Sequence, residues 1–274
     1  METHVAERDG HLHPFQRPRP SLTRTQSARL DQSNDLAHLV PPMKAFLLAA
    51  GHGTRLRPLT DSVPKCLLPV RGVPILQIWL EICRRHGIDQ VLVNVHAHAN
   101  AVRAFVDKES KDVEVHVCEE PVLLGSAGTL LGNREWIGSD SLFWVFYADV
   151  LTTENLTPML ETHKKRRQIA TLGVCEVPDP RRCGIVTVDQ EDIVREFVEK
   201  PVTPSSNLAF SGIMVGSPAL LDFVPRQIPA DIGFHVLPTL AGRMAAYRIS
   251  SYLLDIGTPE NYNAAQVAWP GFSS

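Results

Sequence analysis

Two glycines and three cations crowd one short stretch of this chain. Residues 44–70 read KAFLLAAGHGTRLRPLTDSVPKCLLPV, an apolar run that breaks into Gly51-His52-Gly53 and is followed by Arg55, Arg57 and Lys65. A turn of small residues lets backbone N–H groups approach an anion, and cations close behind neutralise it. Such a stretch can hold a polyphosphate. Further along, Asp149 stands alone behind the apolar run LFWVFYA, and Asp255 follows Tyr252-Leu253-Leu254. Two strand-end carboxylates that meet in space can hold a divalent cation together with waters and phosphate oxygens.

The elements that must position these residues are legible from periodicity. After the opening stretch, Pro74 begins a helical pattern (Ile75, Leu76, Ile78, Trp79, Ile82, Cys83) that Gly87 ends, and the strand VLVNV follows at 91–95. A helix at about 99–107, the alternating VEVHV at 113–117 and the run LFWVFYA at 142–148 continue the alternation. Strands alternating with helices predict an α/β fold, a Rossmann-like and mostly parallel mixed sheet with helices on both faces. Ligands of such sheets sit at the carboxyl ends of the strands. Beyond a helix at about 154–167 the pattern turns to strands, IATLGVCEV, GIVTV, IVREFV and LAFSGIMV, which predict a β-rich extension that holds a second substrate. A helical stretch near 235–242, a strand at about 245–254 and a last helix close the chain.

Spacing separates three kinds of phosphate site. A dinucleotide fingerprint needs a third small residue at position 56, which is Leu, and an acid near the end of the next strand, where the chain reads Asn94-Val95-His96. A P-loop needs Gly-Lys-Ser/Thr, and no Gly-Lys pair exists anywhere in the chain. What remains is G-x-G-T-R-L-R-P-L-T followed by Pro64-Lys65. This resembles the signature of the sugar-1-phosphate nucleotidylyltransferases, the NDP-sugar pyrophosphorylases. The resemblance extends over 43–274 through Leu124-Gly125-Ser126-Ala127-Gly128-Thr129, Tyr147-Ala148-Asp149, Asp179-Pro180 with Gly184-Ile185-Val186, Glu199-Lys200-Pro201, Ser211-Gly212-Ile213 and Asp255-Ile256-Gly257-Thr258-Pro259-Glu260-Asn261-Tyr262.

That resemblance implies the nucleotide-diphospho-sugar transferase fold. It also implies a reaction in which an NTP and a sugar 1-phosphate give NDP-sugar and pyrophosphate. A sugar phosphate is already anionic, so the nucleophile needs no general base. Catalysis is then alignment for in-line attack plus neutralisation of spreading negative charge. By the same resemblance, Ala49, Gly51, Gly53, Thr54, Arg55 and Lys65 bind the nucleotide, with Arg55 over the β- and γ-phosphates as pyrophosphate leaves. Asp149 and Asp255 are the expected Mg²⁺ pair. Lys200 addresses the sugar phosphate, Glu199 the sugar hydroxyls, and Gly184 and Gly212 present backbone groups to the sugar. Arg55, Lys65, Asp149 and Lys200 form the expected catalytic set. Ala148 departs from the family, which commonly has glycine before this Asp.

Loop 119–128 resembles the family's base-reading segment, with Gly125 and Gly128 suited to close packing of a planar base. A carboxylate at Glu120 could accept from both N1–H and N2–H₂ of guanine, whereas uracil or thymine offers a single N–H and pairs better with an amide. The loop most resembles that of mannose-1-phosphate guanylyltransferases, which implies GTP and mannose 1-phosphate or a related hexose or heptose 1-phosphate. Other readings stand beside it. They are a UTP- or dTTP-dependent glucose-1-phosphate type, a non-catalytic NDP-sugar-binding regulatory homologue, and a metal-dependent glycosyltransferase, which would normally show Asp-x-Asp where Asp149 is followed by Val150-Leu151. Residue by residue, Asp149 could cap a helix and Glu120 could be a solvated turn acid. His96-x-His98 shares a strand face but lacks a third ligand nearby, so it reads as incidental.

Composition narrows the partners. A net charge of −3 argues against nucleic acid or an anionic membrane held by bulk charge. Five cysteines without a C-x-x-C suggest reduced thiols and a cytoplasmic location, and no run reaches the length of a membrane span. Self-association of the chain is left open. Residues 1–42 carry five prolines with five acids against five bases and no apolar period. They read as a disordered extension, or as sequence upstream of a start at Met43, ahead of a nucleotidyltransferase domain over 43–274.

Overall fold

The computed structural model describes residues 22–23, 42–138 and 142–272. The first half winds as the alternation predicts. β1 (Leu22–Thr23) is followed by β2 (Met43–Leu48), a hairpin of β3 (Pro69–Val70) and β4 (Val73–Pro74), helix α1 (Ile75–Arg85), β5 (Ile88–Val95), α2 (Ala99–Glu109) and β6 (Glu114–Glu119). Two short helices, α3 (Ser126–Gly132) and α4 (Arg134–Ile137), lead into β7 (Phe143–Tyr147). Strands β6, β5, β2 and β7 lie side by side in that order and run parallel. The chain therefore winds outward from β2 to β5 and β6, then jumps back across β2 to β7. That reversal opens a crevice beyond the carboxyl end of β2, where sheets of this kind lodge their ligands.

β2 is covered on both faces, which is why its residues need not alternate in polarity. Leu47 packs with Trp79, Val93 and Phe146 on one face, while Phe46 packs with Leu92, Val145 and Met214 on the other, and all are 1% exposed or less. Helix α1 presents Ile75, Ile78, Trp79 and Ile82 as one buried stripe. Trp79 stacks on Phe146 with ring centroids 4.6 Å apart. The helix after the glycine turn is thus locked onto the strand that delivers Asp149.

The second half contains β8 (Val150–Thr152), α5 (Leu156–Arg166), β9 (Ala170–Glu176), β10 (Gly184–Val188), β11 (Val194–Glu199), β12 (Leu208–Gly216), β13 (Met244–Arg248), β14 (Leu253–Asp255) and α6 (Pro259–Ala268). β12 pairs antiparallel with β7, β9 and β10, and β10 with β11, so the β-rich extension continues the same mixed sheet. Its role is positional: β11 carries Glu199 at its end, and β12 brings Gly212 against Tyr147 of β7.

Four details differ from the sequence reading. The strand expected over about 245–254 splits into β13, parallel to β9, and β14, antiparallel to β8. The cause is Glu154, whose buried carboxylate accepts from the backbone N–H of Ser250 and Ser251 and from the Ser251 hydroxyl, turning the chain between the two strands. Ser126 to Gly132 is helical, so the expected base loop ends at Gly125. Asp149 caps no helix; Asn155 caps α5 by accepting from Thr157 N at 3.1 Å. Finally, Leu22 and Thr23 pair antiparallel with Cys118 and Val117, so a disordered extension does not describe these two residues. The remainder of that expectation, apart from residue 42, lies outside the described residues.

Candidate active site

The carboxyl end of β2 opens into a cavity of about 300 Å³ walled by the glycine turn, Arg55, Lys65, Asp149 and Gly257. Gly53 adopts φ +61°, and an added Cβ would stand 2.9 Å from Thr60 Cγ2, while the Thr60 hydroxyl donates to Gly53 O at 2.8 Å. The turn is therefore closed against its own loop. A Cβ at Gly51 would meet no protein atom within 4 Å and would project into open space. The two glycines differ in purpose, one serving the turn and the other leaving room beside it. Thr54 and Arg55 follow in a single 3-10 turn. The amide of Ala49 is committed to Asn94 Oδ1 at 2.7 Å, so it is a structural donor and not a free one.

Across the cavity, the carboxylates of Asp149 and Asp255 come from neighbouring strand ends. Asp255 stands opposite Val150 in the β14–β8 ladder, and Ile256 N donates to Asp149 O at 2.8 Å. Partial burial raises the Asp255 carboxyl above the ordinary carboxylate range, and the negative charge of Asp149 raises it further. The Gly257 N–H, Lys65 and Arg55 act in the opposite direction. Lys65 donates to Asp149 Oδ2 at 2.6 Å, and Gly257 N donates to Asp255 Oδ1 at 2.6 Å. Gly257 has to be small, since a Cβ there would lie 2.7 Å from Arg55 Nη2 and 2.8 Å from Asp255 Oδ1. Four of the expected residues, Arg55, Lys65, Asp149 and Asp255, are thus brought into one charged cluster.

Loop 119–128 is built differently from the expectation. Glu120 is 2% exposed, and its carboxylate accepts from Asn94 Nδ2 at 3.0 Å, the Thr129 hydroxyl at 2.5 Å and Leu124 N at 3.1 Å. It is turned into the protein as the organising group of the loop, and is not presented to the edge of a base. Gly125 and Gly128 likewise serve protein packing. Gly125 has φ +77°, and a Cβ there would run into the Ala230 carbonyl, which accepts from Ala127 N and Gly128 N.

The residues expected to face the sugar form a second group next to the first. Gly184 lies against Phe197 and the Glu199 carboxylate, and Gly212, at φ +80°, lies against Tyr147 and Val150. Burial raises the Glu199 carboxyl, Lys200 opposes the shift, and Asp231 adds to it. Lys200, at φ +49°, holds its ammonium 3.7 Å from Glu199 Oε1 and 5.6 Å from the centre of the Phe234 ring. It does not wall the first cavity. The two groups meet at Tyr147, whose hydroxyl is buried near Asp149, Glu199 and Asp231 and is raised far above its usual range, chiefly by desolvation.

Several residues of this site carried no sequence signal. Asn94 was legible only as a lone amide in an apolar strand, and Ser126 and Asp231, 105 residues apart, only as unremarkable polar groups. His52 packs edge to face on His96 at 5.3 Å, and His96 Nδ1 contacts Glu120 O at 2.7 Å, so the histidines belong to the loop framework. Among the described residues no group of three metal-ligating side chains occurs and no helix is long and apolar enough to cross a membrane.

Residues 44–269 match the family described as nucleotidyl transferase. The chain is 32% identical over 226 residues to the mannose-1-phosphate guanylyltransferase catalytic subunit beta of Xenopus tropicalis, covering 80% of this chain and 62% of that protein. It is 31% identical over 238 residues to the UTP--glucose-1-phosphate uridylyltransferase of Synechocystis, covering 80% of this chain and 61% of that one. The chain thus spans somewhat under two thirds of the length of these relatives. In fold it is similar to the UDP-glucose pyrophosphorylase of Acinetobacter baumannii, with a TM-score of 0.73 and 22% identity over 84% of this chain and 93% of that one.

Proposed function

The chain belongs to the nucleotidyl transferase family, and on that premise we propose that it transfers a nucleotidyl group from an NTP to a sugar 1-phosphate, releasing pyrophosphate. The observation that carries this reading is the convergence of the Gly51 turn, Arg55, Lys65 and Asp149 around one cavity, with Asp255 beside Asp149 at the adjoining strand end and Glu199 near the shared Tyr147. In-line transfer to an anionic nucleophile asks for cations on the leaving pyrophosphate and alignment of the attacking phosphate, with no base to remove a proton. In this reading Arg55 and Lys65 serve the first task and Lys200 the second.

Two carboxylates at adjoining strand ends, of which Asp149 lines the cavity together with Arg55 and Lys65, fit Mg²⁺, which takes one or two carboxylates and fills its remaining positions with water and substrate phosphate. Bound by Asp149 and Asp255, the ion would neutralise charge building on the α-phosphate and the leaving group. Lys65 covers one Asp149 oxygen, and in this reading it turns to a phosphate when a triphosphate enters.

GTP and mannose 1-phosphate are the proposed pair, supported by guanylyltransferases of mannose 1-phosphate among the relatives at about 32% identity. With Glu120 turned inward, the preference does not rest on that carboxylate. A second reading, UTP with glucose 1-phosphate, is favoured by the 31% identical uridylyltransferase. The proposed compartment is the cytoplasm, in keeping with five free thiols. Pyrophosphate release over a matrix of NTPs and sugar 1-phosphates with Mg²⁺ tests the proposal. Release in the GTP and mannose 1-phosphate cell supports it, and silence in every cell overturns it.

A further inference from the structure

Between the base-side loop and the Glu199-Lys200 pair runs a short segment, Ala230 to Phe234, that touches both. On the loop side, Ala230 N donates to Leu124 O at 2.8 Å, and Ala230 O accepts from Ala127 N at 2.9 Å and Gly128 N at 3.1 Å. The Ser126 hydroxyl donates to Asp231 Oδ2 at 3.0 Å and accepts from Ile232 N at 2.7 Å. On the sugar side, Gly233 has no Cβ to displace the Glu199 carboxylate, which would otherwise collide with it, and the same missing atom would lie 3.3 Å from Asp231 Oδ1. Phe234, 55% exposed, lies beneath the Lys200 ammonium. Asp231 holds the segment in shape by accepting from Phe234 N at 3.1 Å, while its own N–H donates to His235 Nδ1 at 2.9 Å.

The loop side is anchored in turn to the phosphate turn. Glu120 holds Leu124 N and Asn94, and Asn94 holds Ala49 N at the entry to the glycine turn. We propose that segment 230–234 is a positioning bridge that holds the Glu199-Lys200 pair in place from loop 119–128, with Ser126 as the positioning residue that joins the two. The inference rests on the nucleotidyl-transfer reading and deepens it, because it assigns a residue outside the first cavity that sets the pair proposed to meet the sugar phosphate.

The hydrogen bonds of the Ser126 hydroxyl reach Asp231 and Ile232, and neither reaches the Glu120 network. Removing it should therefore spare nucleotide binding and damage the sugar side. The experiment measures, in the full chain with Mg²⁺, GTP affinity by calorimetry without sugar phosphate, then kcat and the KM for mannose 1-phosphate at saturating GTP. For Ser126→Ala the expected result is GTP affinity within about twofold of the parent and a mannose 1-phosphate KM raised about tenfold, the size of one lost hydrogen bond to a charged partner. Ser126→Thr, which keeps the hydroxyl, should return KM to within about threefold of the parent. Equal losses in GTP affinity and sugar-phosphate KM, or no change in KM, overturn the bridge while the parent's turnover upholds the reaction. A parent chain that binds GTP and turns over no sugar 1-phosphate overturns both.

Discussion

The Lys65 ammonium sits 2.6 Å from Asp149 Oδ2, spanning from the loop behind the glycine turn to the end of the central sheet. In the protein without nucleotide this pair compensates part of the negative charge that Asp149 and Asp255 concentrate. Asp149→Asn removes the charge that both Lys65 and a cation would share. It should lower kcat by about 10²- to 10³-fold, while GTP affinity measured without metal changes little. Chelation by EDTA should silence the parent to the same degree. Full activity in EDTA would remove the carboxylate pair from the reaction.

Gly51 and Gly125 should respond oppositely to alanine. At Gly51 the new Cβ meets nothing within 4 Å, so stability should change by less than about 0.5 kcal/mol, while the added carbon narrows the nucleotide cavity and raises the GTP KM. At Gly125, φ is +77° and the Cβ runs into Ala230, which should cost about 2–3 kcal/mol of stability. Urea unfolding together with steady-state kinetics separates the two. A stability loss at Gly51 as large as at Gly125 would contradict the assignment.

Glu154 acts on the site from a distance. Its carboxylate gathers the N–H groups of Ser250 and Ser251, the Ser251 hydroxyl and, at 3.3 Å, the Tyr247 hydroxyl, just before the strand that carries Asp255. Glu154→Ala should cost about 2 kcal/mol, since it removes the hydrogen bonds that these donors make to one buried, charged acceptor. The apparent affinity for Mg²⁺ should fall with it, because Asp255 is no longer held in register. Unchanged Mg²⁺ dependence in a destabilised variant would confine Glu154 to a purely structural part.

His163 sets an acid limit on stability. It is 2% exposed with Nδ1 at 3.0 Å from the Thr171 hydroxyl, and burial brings its imidazole down to about 4. An unfolded chain protonates histidine near pH 6.5. As pH falls, the unfolded state takes up the proton first. The contribution of neutral His163 is therefore complete above about pH 6.5 and is lost progressively toward pH 4. Between pH 7 and pH 5 the loss should be about 2 kcal/mol, read from urea midpoints, and His163→Gln should flatten it. An equally steep dependence in the variant would point to another group.

The parts of the site that were legible beforehand are those in which local sequence dictates local shape. An apolar strand breaking into Gly51-His52-Gly53 must turn, and a lone Asp149 after LFWVFYA must stand at a strand end. What stayed hidden depends on contacts between distant residues. Glu120 looked available to a base because nothing nearby in sequence shows that Asn94 and Thr129 claim its oxygens. The strand expected over 245–254 broke because Glu154, about a hundred residues earlier, pulls its middle aside. Glycines proved the least transparent. Gly53, Gly125 and Gly257 are small for three different neighbours, Thr60, Ala230 and Arg55 with Asp255.

The last element of the chain reaches back to one of the first. In α6 the Tyr262 hydroxyl donates to Pro69 O at 2.6 Å, Gln266 Nε2 donates to the same carbonyl at 2.8 Å, and Arg71 donates to Trp269 O at 2.8 Å. These bonds clasp the hairpin that immediately follows Lys65, while β14 lays Asp255 beside Asp149. During synthesis, then, the glycine turn and Asp149 emerge well before the segment that closes over them. A message cut short after Arg248 would yield a chain that keeps β2 to β13 and lacks β14, α6 and Asp255. Such a product would carry one carboxylate of the proposed cation pair and should be silent in the pyrophosphate-release assay.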